Sequence, residues 1–303
     1  MLIAIKTKFK DNPLLSYALS ICATWAGIGS LMNGVAMTQT YGIVPSVIWV
    51  LGNTLACIVF GLVALKIPKV REVFNSRIMK WICGIMCVFQ AWLSMNGMQT
   101  VFADTAFGSL GGTIVAYALA LGVTIAALLH SRGGYNVIGL GLEPENMKTG
   151  IWKAILLLPG PFTYPYFFRI LDYNDKNEDG ARTVNTKLAF TLGGIFFGVY
   201  MAITFLLAWA QFTPALNMIK AVLITIIGTS TLSSSMYSIY IAFGKKVGLG
   251  INAGLILGWQ FLIPLGVMGM WTLMASVRIY FVGAGILAAV IWYLIEKRKA
   301  VRA

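Results

Sequence analysis

The sequence predicts an all-α membrane protein, a polytopic bundle of transmembrane helices that forms one domain over residues 1–303. Its composition is 58% hydrophobic and 11% charged, whereas a soluble domain has about 25% charged residues. Apolar runs recur from Leu14 to Leu294, and many reach the length of about 20 residues that a membrane-spanning helix needs. Within the domain we distinguish a first group of helices, a broken segment with its cytoplasmic loop, and a second group of helices, at residues 1–130, 131–186 and 187–303.

Eight full spans and one interrupted segment account for the apolar runs. The predicted spans lie at 13–36, 41–65, 79–102, 110–130, 187–210, 214–243, 249–271 and 275–296. The remaining run, 152–168, is shorter and contains Pro159, Pro161 and Pro165. Three prolines at this spacing exclude a regular helix, because each proline removes a backbone donor and clashes with the preceding turn. Irregular backbone lies at membrane depth only where protein or a wet cavity surrounds it, so this segment is a candidate site.

The positive charge indicates orientation in a membrane and not binding of nucleic acid. The net charge is +13, and the lysines and arginines lie in short loops and at both ends of the chain. The loop at 66–80 carries five basic residues, whereas the loops at 37–40 and 103–109 carry none. Because basic loops stay in the cytoplasm, this pattern predicts a multi-pass protein of the cell (inner) membrane with both termini cytoplasmic. The partners expected are the lipid bilayer and a small organic solute, and the oligomeric state has no signature in the sequence.

The acidic and metal-ligating residues exclude several classes of function. All ten acidic residues lie outside the apolar spans or at their ends, which argues against a proton relay through buried carboxylates. One histidine, His130, and four cysteines inside apolar runs do not make a metal site or a catalytic pair. The sequence therefore predicts neither an enzyme nor a bound cofactor.

Two clusters of small and polar residues interrupt the apolar spans. Between Cys22 and Gly34 the first span contains three glycines together with threonine, serine and asparagine, which favour unwinding and exposure of carbonyl oxygens. Between Thr229 and Ser235 the chain has six hydroxyl side chains in seven residues, which supply neutral oxygens for a hard cation such as sodium. The alternative explanation for both clusters is close packing and hydrogen bonding between helices.

In three stretches the chain resembles the sodium:solute symporter family, whose members have a LeuT-like inverted-repeat fold. The first is Ala23-Thr24-Trp25-Ala26-Gly27, followed by the second-helix run at 49–56. The second is Pro159-Gly160-Pro161-Phe162, which looks like the family's broken sixth core helix. The third is Ser230-Thr231-Leu232-Ser233-Ser234, which is similar to a stretch of the eighth core helix.

The resemblance implies a sodium-coupled symporter that moves a small organic solute by alternating access. The sodium ion, as coupling ion and the only metal expected, would be held by Ala23, Ala26, Ile227, Ser230 and Thr231. The substrate would contact Trp25, Asn33, Gln90, Asn96, Phe162 and Tyr164. Because these groups are aromatic rings and amides without a buried charge, we expect a neutral or zwitterionic solute.

The chain is shorter than the family pattern. It opens directly on the first core helix, and between His130 and Gly150 there is no 20-residue apolar run to form the fifth core helix. Loss of that helix would remove part of the cytoplasmic gate. The alternative function is therefore a non-transporting sensor or assembly subunit on a reduced symporter scaffold.

Overall fold

The protein is all-α over the residues described by the computed structural model, and these contain no strand. The described residues are 13–28, 30–31, 34–35, 38, 42–103, 105–129, 160–165, 167–168, 171, 184–209, 213–261 and 266–302. Their α-helices, in chain order, are α1 (Pro13–Trp25), α2 (Ile43–Lys66), α3 (Pro68–Asn75), α4 (Arg77–Phe102), α5 (Gly108–Leu129), α6 (Thr186–Trp209), α7 (Pro214–Phe243), α8 (Lys245–Gly258) and α9 (Gly266–Arg302). A 3₁₀ turn at Gly160–Thr163 precedes α6.

The chain is a multi-pass membrane protein. Six helices of the described part are long and apolar enough to cross a bilayer, and they belong to α2, α4, α5, α6, α7 and α9. The side chains on their outer faces are apolar and exposed, as at Leu110 and Ile219, which suits contact with lipid. The predicted helical membrane bundle is confirmed at this level.

Two of the predicted spans have a different course. The span at 13–36 is interrupted, because α1 ends at Trp25 and helical residues resume at Ile28. The span at 249–271 is also interrupted, since α8 ends at Gly258 and α9 begins at Gly266. The 37 residues of α9 then continue through the predicted last span as one helix.

Proline, glycine and hydroxyl residues set the helix boundaries that the structure describes. Pro68 occupies the first turn of α3, where a missing backbone donor costs nothing. The side chains of Ser76 and Thr213 cap α4 and α7 by accepting hydrogen bonds from backbone N–H groups at 3.4 Å. Gly244 separates α7 from α8 with a φ of +80°, a conformation that favours glycine.

Helices of the first group pack against helices of the second group. In the described part, α2 packs against α6, α4 against α7, and α5 against both α7 and α8. The α1 helix lies against both α6 and α7, and α9 lies along α3 and α4. The 3₁₀ turn at Gly160–Thr163 contacts α2, α4 and α9. The end of α1 therefore meets the middle of α7, and the 3₁₀ turn lies among α2, α4 and α9.

Candidate functional site

The first helix is broken at Ala26 and Gly27. The backbone N–H of Gly27 donates to the carbonyl oxygen of Trp25 at 2.9 Å, and not to that of Ala23 as a continuing α-helix requires. The N–H of Leu31 then bonds to Gly27 at 3.2 Å and restarts the helical pattern. The helical hydrogen bonding is thereby interrupted between Trp25 and Gly27, where the glycines of this span weaken the helix.

Hydroxyl groups of α7 face this break. The Thr231 hydroxyl donates to the carbonyl oxygen of Ala26 at 2.6 Å, although the two residues are 205 positions apart in sequence. One turn later, the Ser234 hydroxyl bonds to the Thr24 hydroxyl at 3.3 Å. Thr231 is fully buried, so this contact is screened from water. The contact joins the two polar clusters that the sequence singled out.

Of the five predicted sodium ligands, the structure brings Ala26 and Thr231 into direct contact. Ala23 is buried near the end of α1, one turn before the break. Ile227 and Ser230 lie on α7, and their side chains are outside the described residues. The site therefore has a described centre of two oxygens, one from a carbonyl and one from a hydroxyl.

Aromatic rings lie beside the break. The ring centroids of Trp25 and Tyr164 are 5.6 Å apart in an edge-to-face arrangement, so the end of α1 meets the segment after the 3₁₀ turn. Phe197 on α6 contacts the other side of Trp25, with centroids 6.3 Å apart. Phe162 lies deeper, against Phe60 at 5.0 Å. Two of the predicted substrate residues, Trp25 and Tyr164, thus share one surface, and Phe162 lines the protein core behind it.

The predicted amide ligands occupy different places. Gln90 on α4 is buried beside the break, since its Nε2 atom lies 3.3 Å from where a Cβ of Gly27 would be. Asn96 is also buried but lies six residues further along α4, which places it about 9 Å away along the axis and about 120° around the helix. Asn33 is outside the described residues. Gln90 is therefore the amide that the structure places at the break.

Arg278 on α9 is a residue of this region that the sequence interpretation did not include. It is 2% exposed, and its guanidinium carbon lies 5.8 Å from the ring centroid of Trp25. The expectation of a site without a buried charge is wrong on this point. A signal was present in the sequence, because Arg278 lies within the predicted span 275–296 in register with Ala275, Gly285 and Ala289.

No protein-family model matches this chain, and neither does any curated protein. The chemistry of the site is therefore interpreted from its own groups. Neutral oxygens at the break can hold a small cation, the aromatic rings offer an apolar surface, and a fixed positive charge lies against one ring.

Proposed function

We propose that the protein is a sodium-coupled symporter of a small, neutral or zwitterionic organic solute, built on a LeuT-like core. The observation that carries the proposal is the 2.6 Å contact between the Thr231 hydroxyl and the Ala26 carbonyl. These are two of the oxygens that the family resemblance assigns to sodium. Their contact joins the unwound part of the first helix to the hydroxyl-rich helix.

The chemistry of this pair suits a sodium ion. A hydroxyl carries one proton and two lone pairs, and its proton rotates to suit its partner. When the Thr231 hydroxyl turns its proton away from Ala26, both oxygens present lone pairs to the same point. Hard cations prefer oxygen ligands, and transporters provide them from unwound carbonyls near the membrane midplane.

The order of helix packing also supports an inverted-repeat core. If α1, α2, α4 and α5 form the first repeat, the segment after Gly160, α6, α7 and α8 are their counterparts in order. The described contacts pair α2 with α6 and α4 with α7, and Trp25 pairs the first members through Tyr164. The fourth member, α5, contacts α8 and, more extensively, α7. Repeats related by pseudo-symmetry enclose the ion and solute between their first members.

The proposal is tested with purified full-length protein in proteoliposomes. Uptake of a panel of radiolabelled neutral and zwitterionic solutes is measured with an inward sodium gradient and with potassium in its place. We expect sodium-dependent uptake of at least one solute. Thr231→Val should reduce that uptake on the order of tenfold or more, because the substitution keeps the shape of the side chain and removes its oxygen.

Thr229→Val is the matched control. The Thr229 hydroxyl bonds to the carbonyl of Thr225 on its own helix at 2.8 Å, so its removal should leave uptake unchanged. Uptake that ignores sodium, or that falls equally in both variants, would contradict the proposal. Stabilisation by sodium without any flux would instead favour the non-transporting sensor or assembly subunit.

A further inference from the structure

Arg278 lies on the side of α9 that packs against the rest of the protein. The buried residues of this helix recur every three or four positions, as on one face of a helix: Met274, Ala275, Arg278, Val282, Gly285 and Ala289. Leu273, Tyr280 and Phe281 on the other side are exposed. The guanidinium is therefore directed into the protein and away from lipid. Arg278 is the one charged side chain that is buried among the described residues.

The described surroundings of this guanidinium are neutral. Its Nη2 atom donates to the sulfur of Met274 at 3.2 Å, a weak acceptor, and its Nε atom has no hydrogen-bond partner in the described part. Among the described titratable groups, Tyr164, Cys83 and Cys87 lie within electrostatic reach of its charge. The ring of Trp25 lies at the outer limit of a cation–π contact.

The described residues offer no carboxylate as a counterion. They include two acidic residues, Glu72 and Glu296, and both bind Lys69 at the surface, at 2.6 Å and 3.0 Å. The other eight acidic residues lie outside the apolar spans or at their ends. Charged groups within transmembrane segments are costly, and they generally face a partner or a substrate pathway.

We infer that Arg278 binds the carboxylate of the transported solute. An arginine presents paired N–H donors in a planar fork, which matches the two oxygens of a carboxylate. The Nε edge is free to supply such a donor within the described part. Trp25 and Tyr164, beside the same charge, then contact the rest of the solute. The inference rests on the proposed solute site and changes its substrate class. It keeps zwitterionic solutes, adds anionic carboxylates and excludes neutral solutes.

The test compares acids with their neutral amides on the purified wild-type protein. Thermal unfolding is followed with acetate, lactate, phenylacetate or proline, and with acetamide, lactamide, phenylacetamide or prolinamide. We expect at least one acid to raise the Tm in a saturable way and its amide to have no effect at the same concentration. Equal stabilisation by an acid and its amide, or no stabilisation by any of the four acids, would overturn the inference.

Variants then assign the effect to Arg278. Arg278→Gln should weaken binding of the stabilising acid about 30-fold or more, and Arg278→Lys should weaken it less, because a single ammonium keeps the charge but loses the fork. The exposed Arg298→Gln, near the end of the same helix, is the control and should bind as the wild type does. Unchanged binding by Arg278→Gln would contradict the assignment.

Two further measurements distinguish a failure of the carboxylate inference from a failure of the proposed sodium coupling. Chloride is titrated as a competitor, and saturation of the same Tm shift by chloride alone would overturn the carboxylate as the ligand. In parallel, the Tm shift caused by the stabilising acid is measured with and without sodium, on the wild type and on Thr231→Val. Stabilisation by an acid that depends on Arg278 but not on sodium would contradict the proposed sodium coupling. The same result would support a carboxylate site at Arg278.

Discussion

Gly27 lies where the parts of the candidate site meet. A Cβ atom at this position would lie 3.2 Å from Cγ2 of Thr231 and 3.3 Å from Nε2 of Gln90. The tyrosine hydroxyl of Tyr200 also donates to the carbonyl of Gly27, at 3.4 Å. A glycine here lets the broken backbone approach α4, α6 and α7 at once, so the absence of a side chain sets the distance between Ala26 and Thr231.

We predict that Gly27→Val abolishes sodium-dependent stabilisation. The branched side chain would push Thr231 and Gln90 away from the break, because its γ-carbons extend beyond a Cβ that is already crowded. The measurement is the Tm in sodium compared with potassium. Gly254→Val on α8 is the control, since nothing lies within 4 Å of the corresponding Cβ. A sodium-induced shift that persists in Gly27→Val would show that the break does not hold the ion.

At the scale of elements, small residues determine how closely helices of the two groups approach. Gly194 and Gly198 on α6 are four positions apart and both face Thr54 on α2, in a small-xxx-small pattern of the kind that membrane helices use to pack. A Cβ on Gly194 would lie 2.6 Å from the carbonyl oxygen of Thr54. Backbone atoms cannot move aside as a flexible side chain can, so this interface tolerates no added atom.

Gly194→Ala should therefore destabilise the protein by about 1–3 kcal/mol, the usual cost of overpacking. Gly283→Ala on α9, where nothing lies within 4 Å of the added Cβ, should be neutral or slightly stabilising, because alanine favours helix over glycine. Both variants are compared by thermal unfolding in one detergent. Equal Tm values for the two variants would refute close packing of α2 on α6.

At the scale of the whole molecule, Lys69 connects α3 with the far end of α9. Its ammonium binds Glu72 at 2.6 Å and Glu296 at 3.0 Å, and it lies 4.4 Å from the ring centroid of Trp292. The hydrogen bonds to Glu72 and Glu296 raise the pKa of Lys69 above its ordinary value. The positive form is thus favoured in the folded protein, and its contribution to stability is present at neutral pH.

That contribution is lost as the pH rises through the raised pKa of Lys69. We predict that Lys69→Met lowers the Tm at neutral pH by no more than about 3 °C, because both of its carboxylate partners are exposed and ion pairs at the protein surface are weak. The difference from the wild type should shrink toward zero as the pH rises above the ordinary lysine range, because the ammonium of the wild type is then itself deprotonated. Lys66→Met, exposed at the end of α2, is the control. A difference that grows with pH would contradict the ion pairs as its source.

Local patterns in the sequence predicted the helices and the interruption of the first one. Apolar runs of membrane length predicted α2, α4, α5, α6 and α7 within a few residues, because hydrophobic length and helix formation are both local properties. The glycines after Thr24 likewise predicted an interruption, since glycine weakens helix wherever it stands. The course of residues 131–159, where the expectation of a missing fifth core helix would be tested, lies outside the described residues.

The sequence by itself determined the class of protein, its apolar helices and the two polar clusters. Only the tertiary structure decided that Ala26 meets Thr231, that Gln90 and not Asn96 lies at the break, and that Arg278 is buried against Trp25. Composition and the periodicity of apolar residues describe single helices, whereas the partners of a side chain depend on how helices that are distant in sequence pack together. For this reason the burial of Arg278 follows from the packing of α9 in the fold and not from its position in the sequence.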